Sequence, residues 1–287
     1  MRFVYTVLLV LICVACEKES KMYIPYDGDK IVLNSLIQPD SLIYIRVTQS
    51  KEVRESGNLQ FPELSNATVT MYENGIALPT PQWQVINGFG YYVSEGVAKE
   101  GKQYSIGVEY KGLTAVSGAD STPGRPVIRD AYAQRSINRL HFTLNDNAAE
   151  TNYYSIRFFN ADSVNGVLVA NRIDTVRCRL DPNFDNNFID IIGNNYYSEI
   201  IIPDKEINGK ETSFVLQTQK QVTASHMILE VRGLTEGAYK YLQATYSQRQ
   251  DDKTELTLYP VNIYSNVQNG YGIVAGVNAR VLSFKVE

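Results

Sequence analysis

From Lys30 onward the sequence is written in short runs that alternate apolar and polar residues, with turn-forming residues between them. This period of two narrows the fold more than any other feature, because it suits a strand with one buried and one open face and does not suit a helix. Residues 42–48 are the clearest case. Ile43, Ile45 and Val47 share one side, while Leu42, Tyr44, Arg46 and Thr48 share the other. The same reading predicts strands at 31–33, 67–73, 90–93, 103–110 and 113–117, with a turn at Gln38-Pro39-Asp40-Ser41. Asn74-Gly75 is a strong hairpin signal, and Lys111-Gly112 turns the last pair. The polar stretch 50–65 reads as a surface loop or an edge excursion. Several short strands without a convincing helix indicate a β-sandwich over residues 30–122.

Ser121-Thr122-Pro123-Gly124-Arg125-Pro126 marks the internal boundary, since two prolines around a glycine break both helix and sheet pairing. Strands resume at 139–144, 153–159, 172–180, 213–218 and 226–233, and the tail returns as a strand over 277–286. One helix is predicted, 235–247. Thr235 can cap it, Glu236 suits its first turn, and Ala238, Tyr241, Leu242 and Tyr246 fall on one stripe. The expectation is thus a mainly β chain, with a second β-rich domain over 127–287 that carries one short helix.

The N-terminal end has a different character. Arg2 precedes an apolar stretch, 3–15, that is too short to span a bilayer and has the layout of a secretory signal. Small Ala15 stands directly before Cys16, and Glu17-Lys18-Glu19 follows. This arrangement resembles a bacterial lipobox, with Cys13 where Leu is usual. It implies a leader over 1–15 and a lipidated Cys16 (palmitate among its acyl chains) as the mature first residue. A tether of polar residues then runs over 16–29. Each buried methylene contributes about 0.8 kcal/mol, so one chain holds marginally and several hold firmly.

Composition excludes some functions. The formal charge is −4, and one unit more negative without Arg2. A mildly acidic chain without a Lys/Arg block is unsuited to nucleic acid. With Cys16 lipidated and Cys13 removed, Cys178 has no partner, so no disulfide framework is expected and stability must come from a core. Cys178 lies in an alternating run with Ile173, Val176 and Leu180 and reads as a small buried hydrophobe. The chain has 20 Tyr against 10 Phe and a single Trp, Trp83. In a β-rich chain that excess reads first as strand packing, and second as an interface.

Catalytic residue types are sparse. His141 and His226 sit on separate predicted strands among apolar neighbours, and no G-x-S-x-G elbow accompanies them, so structural roles are expected. Residues 96–102 spell G-x-x-x-x-G-K, but Gln103 stands where the magnesium hydroxyl belongs and a strand follows instead of a helix. The segment therefore reads as a β-turn. Asp181, Asn183, Asp185 and Asn187 place oxygen ligands at alternate positions, like the front of a calcium loop. Asn186 and Ile192 replace the glycine and glutamate that such a loop needs. No cofactor or metal is expected.

Larger pieces of sequence resemble a known family. Ile31-Val32-Leu33-Asn34-Ser35-Leu36-Ile37-Gln38-Pro39-Asp40-Ser41 and Asn66-Ala67-Thr68-Val69-Thr70-Met71-Tyr72-Glu73-Asn74-Gly75 are similar to the front half of a Bacteroidetes lipoprotein family labelled only as a domain of unknown function. Gly90-Tyr91-Tyr92, Gly101-Lys102-Gln103-Tyr104 and Tyr239-Lys240-Tyr241-Leu242 continue the likeness. The stretch from Pro260 through Tyr264, Ser265 and Asn266 to Gly270, Tyr271 and Gly272 resembles that family's closing signature. Gly270, Gly272 and Gly276 read there as sites of positive φ and close backbone contact.

The first domain also resembles Ig-like, carboxypeptidase-regulatory-like and transthyretin-like sandwiches. The resemblance implies an outer-membrane lipoprotein, commonly encoded beside a TonB-dependent receptor and acting with that β-barrel as a non-catalytic accessory or ligand-binding partner. Glu17-Lys18-Glu19 resembles the charged surface-export signals of this phylum, and that resemblance implies a body facing the cell surface. In this phylum exported proteins are often O-glycosylated at triplets such as Asp40-Ser41-Leu42, Asp120-Ser121-Thr122, Asp162-Ser163-Val164 and Asp174-Thr175-Val176. The alternative is a structural or adhesive surface subunit that binds other proteins. A surface hydrolase ranks third, because it requires convergent acid and base groups.

Overall fold

The computed structural model describes residues 26–52, 61–184, 195–250 and 263–287. Cys16, most of the tether, Asp185, Asn187 and Pro260 lie outside the described residues, as does the side chain of Tyr246.

The first half supplies β1 (Ile31–Ile37), β2 (Leu42–Gln49), β3 (Thr68–Glu73), β4 (Ile76–Ala77), β5 (Gln82–Ile86), β6 (Phe89–Val97), β7 (Gln103–Tyr110), β8 (Leu113–Ser117) and β9 (Asp120–Ser121). The second supplies β10 (Val127–Gln134), β11 (Arg139–Asn145), β12 (Tyr153–Val164), β13 (Val167–Val176), β14 (Cys178–Leu180), β15 (Ile200–Pro203), β16 (Glu211–Thr218) and β17 (His226–Leu234). Helix α1 (Glu236–Gln250) follows, then β18 (Val267–Gln268) and β19 (Tyr271–Lys285). The chain is mainly β with one α-helix among the described residues, as the alternation predicts.

Turn chemistry closes the hairpins where expected. Asn74 and Gly75 take φ of 50° and 78°, and Lys111 and Gly112 take 45° and 83°. These paired positive values twist the chain in the same sense as the strands they join. Residues 98–102 turn between β6 and β7, with Gly101 at φ 71°, so no helix follows the G-x-x-x-x-G-K run.

A single nine-stranded sheet runs the length of the molecule in the order β13-β12-β17-β19-β1-β2-β6-β5, with β15 beside β12. Two smaller sheets pack on one side of it. The sheet β18-β8-β7-β3-β4, with β9 on β7, covers the first half, and β10-β11-β16-β14 covers the second. Each pairing makes a sandwich with its own core. In the first, Ile31, Leu33, Ile45 and Val47 face Val69, Met71, Ile106 and Val108. In the second, Phe142 stacks on Phe214 at 4.9 Å and meets Phe158 edge-on at 6.0 Å, among Leu140, Leu216, Leu229 and Val231.

β19 belongs to both sandwiches. Residues 271–276 pair parallel with β1 in register Val32 to Tyr271, and 277–285 pair antiparallel with β17 in register Leu234 to Val277. Val267 and Val274 accordingly lie in the first core, although in sequence they follow the whole second sandwich. The two bodies are therefore joined by one uninterrupted strand as well as by residues 121–126.

Side chains lock that joint. Asp120 Oδ2 accepts from Thr235 Oγ1 at 2.6 Å and from the Gly276 N–H at 3.3 Å. Asn278, fully buried, donates to Pro123 O at 2.9 Å. Burial raises the Asp120 carboxyl above its ordinary range, and the hydrogen bonds from Thr235, Ser121 and Gly276 offset part of that rise.

Among the described residues three tyrosines are buried, each with an internal partner. The buried Tyr92 hydroxyl donates to Leu64 O at 2.6 Å, that of Tyr104 to Glu73 at 2.7 Å, and that of Tyr154 to Asp146 at 2.6 Å. Cys178 is 3% exposed in the second core, and burial pushes its thiol up to about 12. Thiolate is the reactive form. Cys178 is therefore expected to stay unlabelled by a thiol reagent in the folded protein at pH 8 and to label fully in urea, read by peptide mass mapping. Rapid native labelling would show an open second core.

Candidate functional site

The open side of the long sheet decides where a ligand could sit. Its middle is covered by α1. Thr235 caps that helix, accepting from the Ala238 N–H at 3.3 Å, and Ala238, Tyr239, Tyr241 and Leu242 pack over Ile273, Ala275, Val277 and Leu234. Tyr239 stacks on Tyr153 at 4.5 Å. Beyond the helix, over β1, β2 and β6, the face is uncovered among the described residues.

Register sets what this open face presents. Val32 lies between Tyr271 on β19 and Thr48 on β2, and Asn34 lies between Ile273 and Arg46. Glu63, from the loop after β2, bridges back to Thr48, and Tyr91 pairs with Gln84. Of these, Val32, Asn34, Arg46, Thr48 and Glu63 floor a recess of about 600 Å³ rimmed by Phe61 and Phe89. The size falls within the ~300–1,000 Å³ usual for small-molecule sites.

Arg46 is its centre. The guanidinium lies 4.9 Å from the Phe89 ring and 5.7 Å from that of Tyr91, with Nη1 3.0 Å from Glu63 Oε1. Glu63 in turn accepts from the Gly90 N–H at 3.1 and 3.2 Å. Gly90 is required for that approach: a Cβ there would lie 2.1 Å from the Trp83 ring and 2.7 Å from Glu63 Oε2. Tyr91 meets Tyr44 edge-on at 6.3 Å. Phe61 and Phe89 remain 52% and 53% exposed, so both rings have surface left for a visitor. The carboxylate and the guanidinium neutralise each other, and the arrangement offers planar hydrogen-bonding groups between ring faces.

Other polar clusters are paired within the protein, although the buried Arg232 Nε and His141 Nε2 find no hydrogen-bond partner among the described residues. On the long sheet's second half, Glu230 pairs with Arg157 and Arg172, and Arg232 with Glu199. Burial pushes the Glu230 carboxyl up, but Arg157 and then Arg172 outweigh it and hold it below its usual range. On the opposite face Asp181 accepts from Arg139 at 2.6 Å and from the Asn183 N–H at 2.9 Å. The first oxygen donor of the predicted calcium-like run is thus engaged by a guanidinium, while Asp185 and Asn187 are not described. His141 stacks on Tyr132 at 4.4 Å, and burial, then Arg139, lowers its basicity. His226 meets Ser225 at 3.1 Å on another sheet, so the histidines do not converge. Among the described residues no three His, Cys, Asp or Glu side chains gather as a metal set.

The family model for a domain of unknown function, DUF4249, matches residues 17–282. The chain belongs to the DUF4249 family. No curated protein matches it. The DUF4249 match takes in both sandwiches, the helix and the closing signature, in agreement with the resemblance seen in the residues.

Within this DUF4249 chain the described signature residues make internal contacts. Tyr264 packs with α1, and Ser265 Oγ accepts from the Val267 N–H at 3.2 Å. Asn266 acts as a strand substitute: Nδ2 donates to Val274 O at 2.8 Å, and Oδ1 accepts from the Val274 N–H at 3.0 Å. Of the three glycines expected at positive φ only Gly272 takes it (111°); close backbone contact is what they share, since a Cβ on Gly270 would lie 2.6 Å from Ile31 O, and one on Gly272 2.1 Å from Leu33 O. Of the Asp-Ser/Thr triplets, Asp120 is spent in the joint and Thr122 is buried, whereas Asp162, Ser163 and Val164 are exposed.

Sequence reading did not single out Arg46, Phe61, Glu63 or Phe89. Arg46 was one polar member of an alternating strand, and Phe61 and Glu63 belonged to a polar loop. The available signal was Phe61-Pro62 itself, an aromatic with no strand to pack in.

Proposed function

We propose that this DUF4249 protein is a lipid-anchored, non-catalytic binding protein of the outer membrane, facing the cell surface and serving a TonB-dependent β-barrel transporter. The anchor rests on the apolar leader ending in Ala15-Cys16. The binding role rests on one observation: the described recess joins Arg46 and Glu63 as a mutually neutralised pair between half-exposed rings. Glu63 is held by Arg46 and by the Gly90 N–H, an arrangement suited to fixing the orientation of a bound molecule. Purification of the native lipoprotein from outer membranes in mild detergent is expected to bring a β-barrel with it. Barrel-free recovery, with the acyl group present on Cys16, would count against the accessory role.

A second reading, a surface subunit that binds other proteins, is favoured by the edge strand β13. Ile173 is 99% exposed there and Val167 63%, and unpaired edges with apolar side chains recruit further strands.

A further inference from the structure

We infer that the Arg46 recess takes a neutral carbohydrate, a pyranose ring seated against Phe61 and Phe89. This deepens the binding role proposed above and rests on the recess being a binding site.

Charge comes first. A recess meant for a carboxylate or phosphate would leave its guanidinium free to form a bidentate pair. Here Glu63 already lies 3.0 Å from Arg46 and is itself fixed by the Gly90 N–H, so the site presents no net charge. An anion would have to displace Glu63 or face its carboxylate. A cation would meet Arg46. A neutral, hydrogen-bonding ligand does neither.

The kind of polarity comes next. Arg46, Glu63, Asn34 and Thr48 bring N–H donors and oxygen acceptors to one small floor. Planar groups with adjacent donors and acceptors match the neighbouring hydroxyls of a sugar, each of which both donates and accepts. An apolar ligand would leave these groups desolvated and unpaired, at a cost in affinity.

The rings supply the third component. Pyranose C–H faces are weakly positive and stack on the negative faces of aromatic rings. Phe61 and Phe89 are half exposed beside the polar floor, and Phe lacks a hydroxyl that would demand its own partner. A floor of planar polar groups edged by half-exposed rings, Phe89 with Arg46 over it, fits a molecule with hydroxyls on its rim and C–H on its faces. An extended peptide would instead seek an unpaired sheet edge, whereas this recess lies over paired strands.

The test uses the full lipoprotein in detergent. Neutral trisaccharides (cellotriose, maltotriose, xylotriose) are compared with trigalacturonate by isothermal titration and by saturation transfer from protein to sugar C–H protons. At least one neutral trisaccharide is expected to bind and to exceed the uronide. Phe61→Ala, on an exposed ring, and Arg46→Ala are each expected to weaken binding about tenfold or more with the far-ultraviolet spectrum retained. Binding unchanged in Phe61→Ala, or tighter uronide binding, would overturn the proposal. So would absence of binding by all neutral trisaccharides, and that result leaves a co-purifying barrel untouched. Release of new reducing ends from a bound trisaccharide would instead overturn the non-catalytic role.

Discussion

Replacing Gly276 by alanine is expected to cost on the order of 4 kcal/mol or more, enough to leave a domain of ordinary stability largely unfolded. A Cβ at this position would stand 1.8 Å from Ser121 O, 2.7 Å from Ser121 C and 2.9 Å from Thr122 Cα. All three are backbone atoms, so no side-chain rotation relieves the clash. Nor can the opposing segment withdraw easily. Ser121 pairs with Gln103, Thr122 N–H donates to Lys102 O at 3.1 Å, and Thr122 Oγ1 donates to Lys99 O at 2.8 Å. The far side of Gly276 is also engaged, since its carbonyl accepts from the Thr235 N–H at 3.2 Å. Gly96→Ala is the matched control. Nothing lies within 4 Å of its Cβ position, and a change of about 0.5 kcal/mol or less is expected. Urea unfolding followed by Trp83 fluorescence measures both. Equal midpoints for Gly276→Ala and wild type would mean that β9 and β19 are not in backbone contact.

Gly276 also shows which parts of this fold the sequence could and could not disclose. Strands with one buried face were legible because burial alternates with the pleat: β2 buries Ile43, Ile45 and Val47 as the pattern demands. Helix α1 was legible from Thr235 and its apolar stripe, and begins within a residue of its predicted start. β19 was not. Its first half contains Gly272 and Gly276, which weaken any strand signal, so a strand was predicted only from 277. Those glycines are there because the backbones of β1 and β9 crowd against them, a requirement set by segments more than a hundred residues away. β10 was missed for a related reason. Asp130, at φ 54°, sits in a register shift between Arg129 and Tyr132 that spoils the alternation.

The recess was illegible for a different cause. Asn34, Arg46, Glu63 and Phe89 come from separate segments, and what brings them together is pairing order and register, which no local pattern encodes. By contrast, Asn87-Gly88 and Asn165-Gly166 close hairpins with paired positive φ and were available to the same rule that found Asn74-Gly75. Local chemistry thus reported turns and faces, while the site emerged only from non-local pairing.

Phe142→Ala is the change that tests whether the shared strand makes two sandwiches one cooperative body. Phe142 is 1% exposed, stacked on Phe214 at 4.9 Å and edge-on to Phe158 at 6.0 Å. Truncating such a ring removes its burial and leaves a cavity, at a cost of about 3–5 kcal/mol. The damage lies wholly in the second core. Trp83 lies in the first, edge-on to Tyr92 at 5.0 Å. Were the sandwiches independent, Trp83 would not register the mutation. β19 argues otherwise: loss of the second sandwich strips residues 277–285 of β17, frees α1 from Ile273 and Ala275, and releases the Asp120–Thr235 contact. The first sandwich would then hold residues 271–276 only by β1 and by the Asn266–Val274 hydrogen bonds, with the outer face newly wetted. In Phe142→Ala, Trp83 fluorescence and Cys178 labelling are therefore expected to move together to the same lower urea midpoint. A Trp83 transition that stays at the wild-type midpoint while Cys178 becomes reactive earlier would show that β19 separates at its centre, and that the joint at Gly276 couples the halves in space without coupling them in stability.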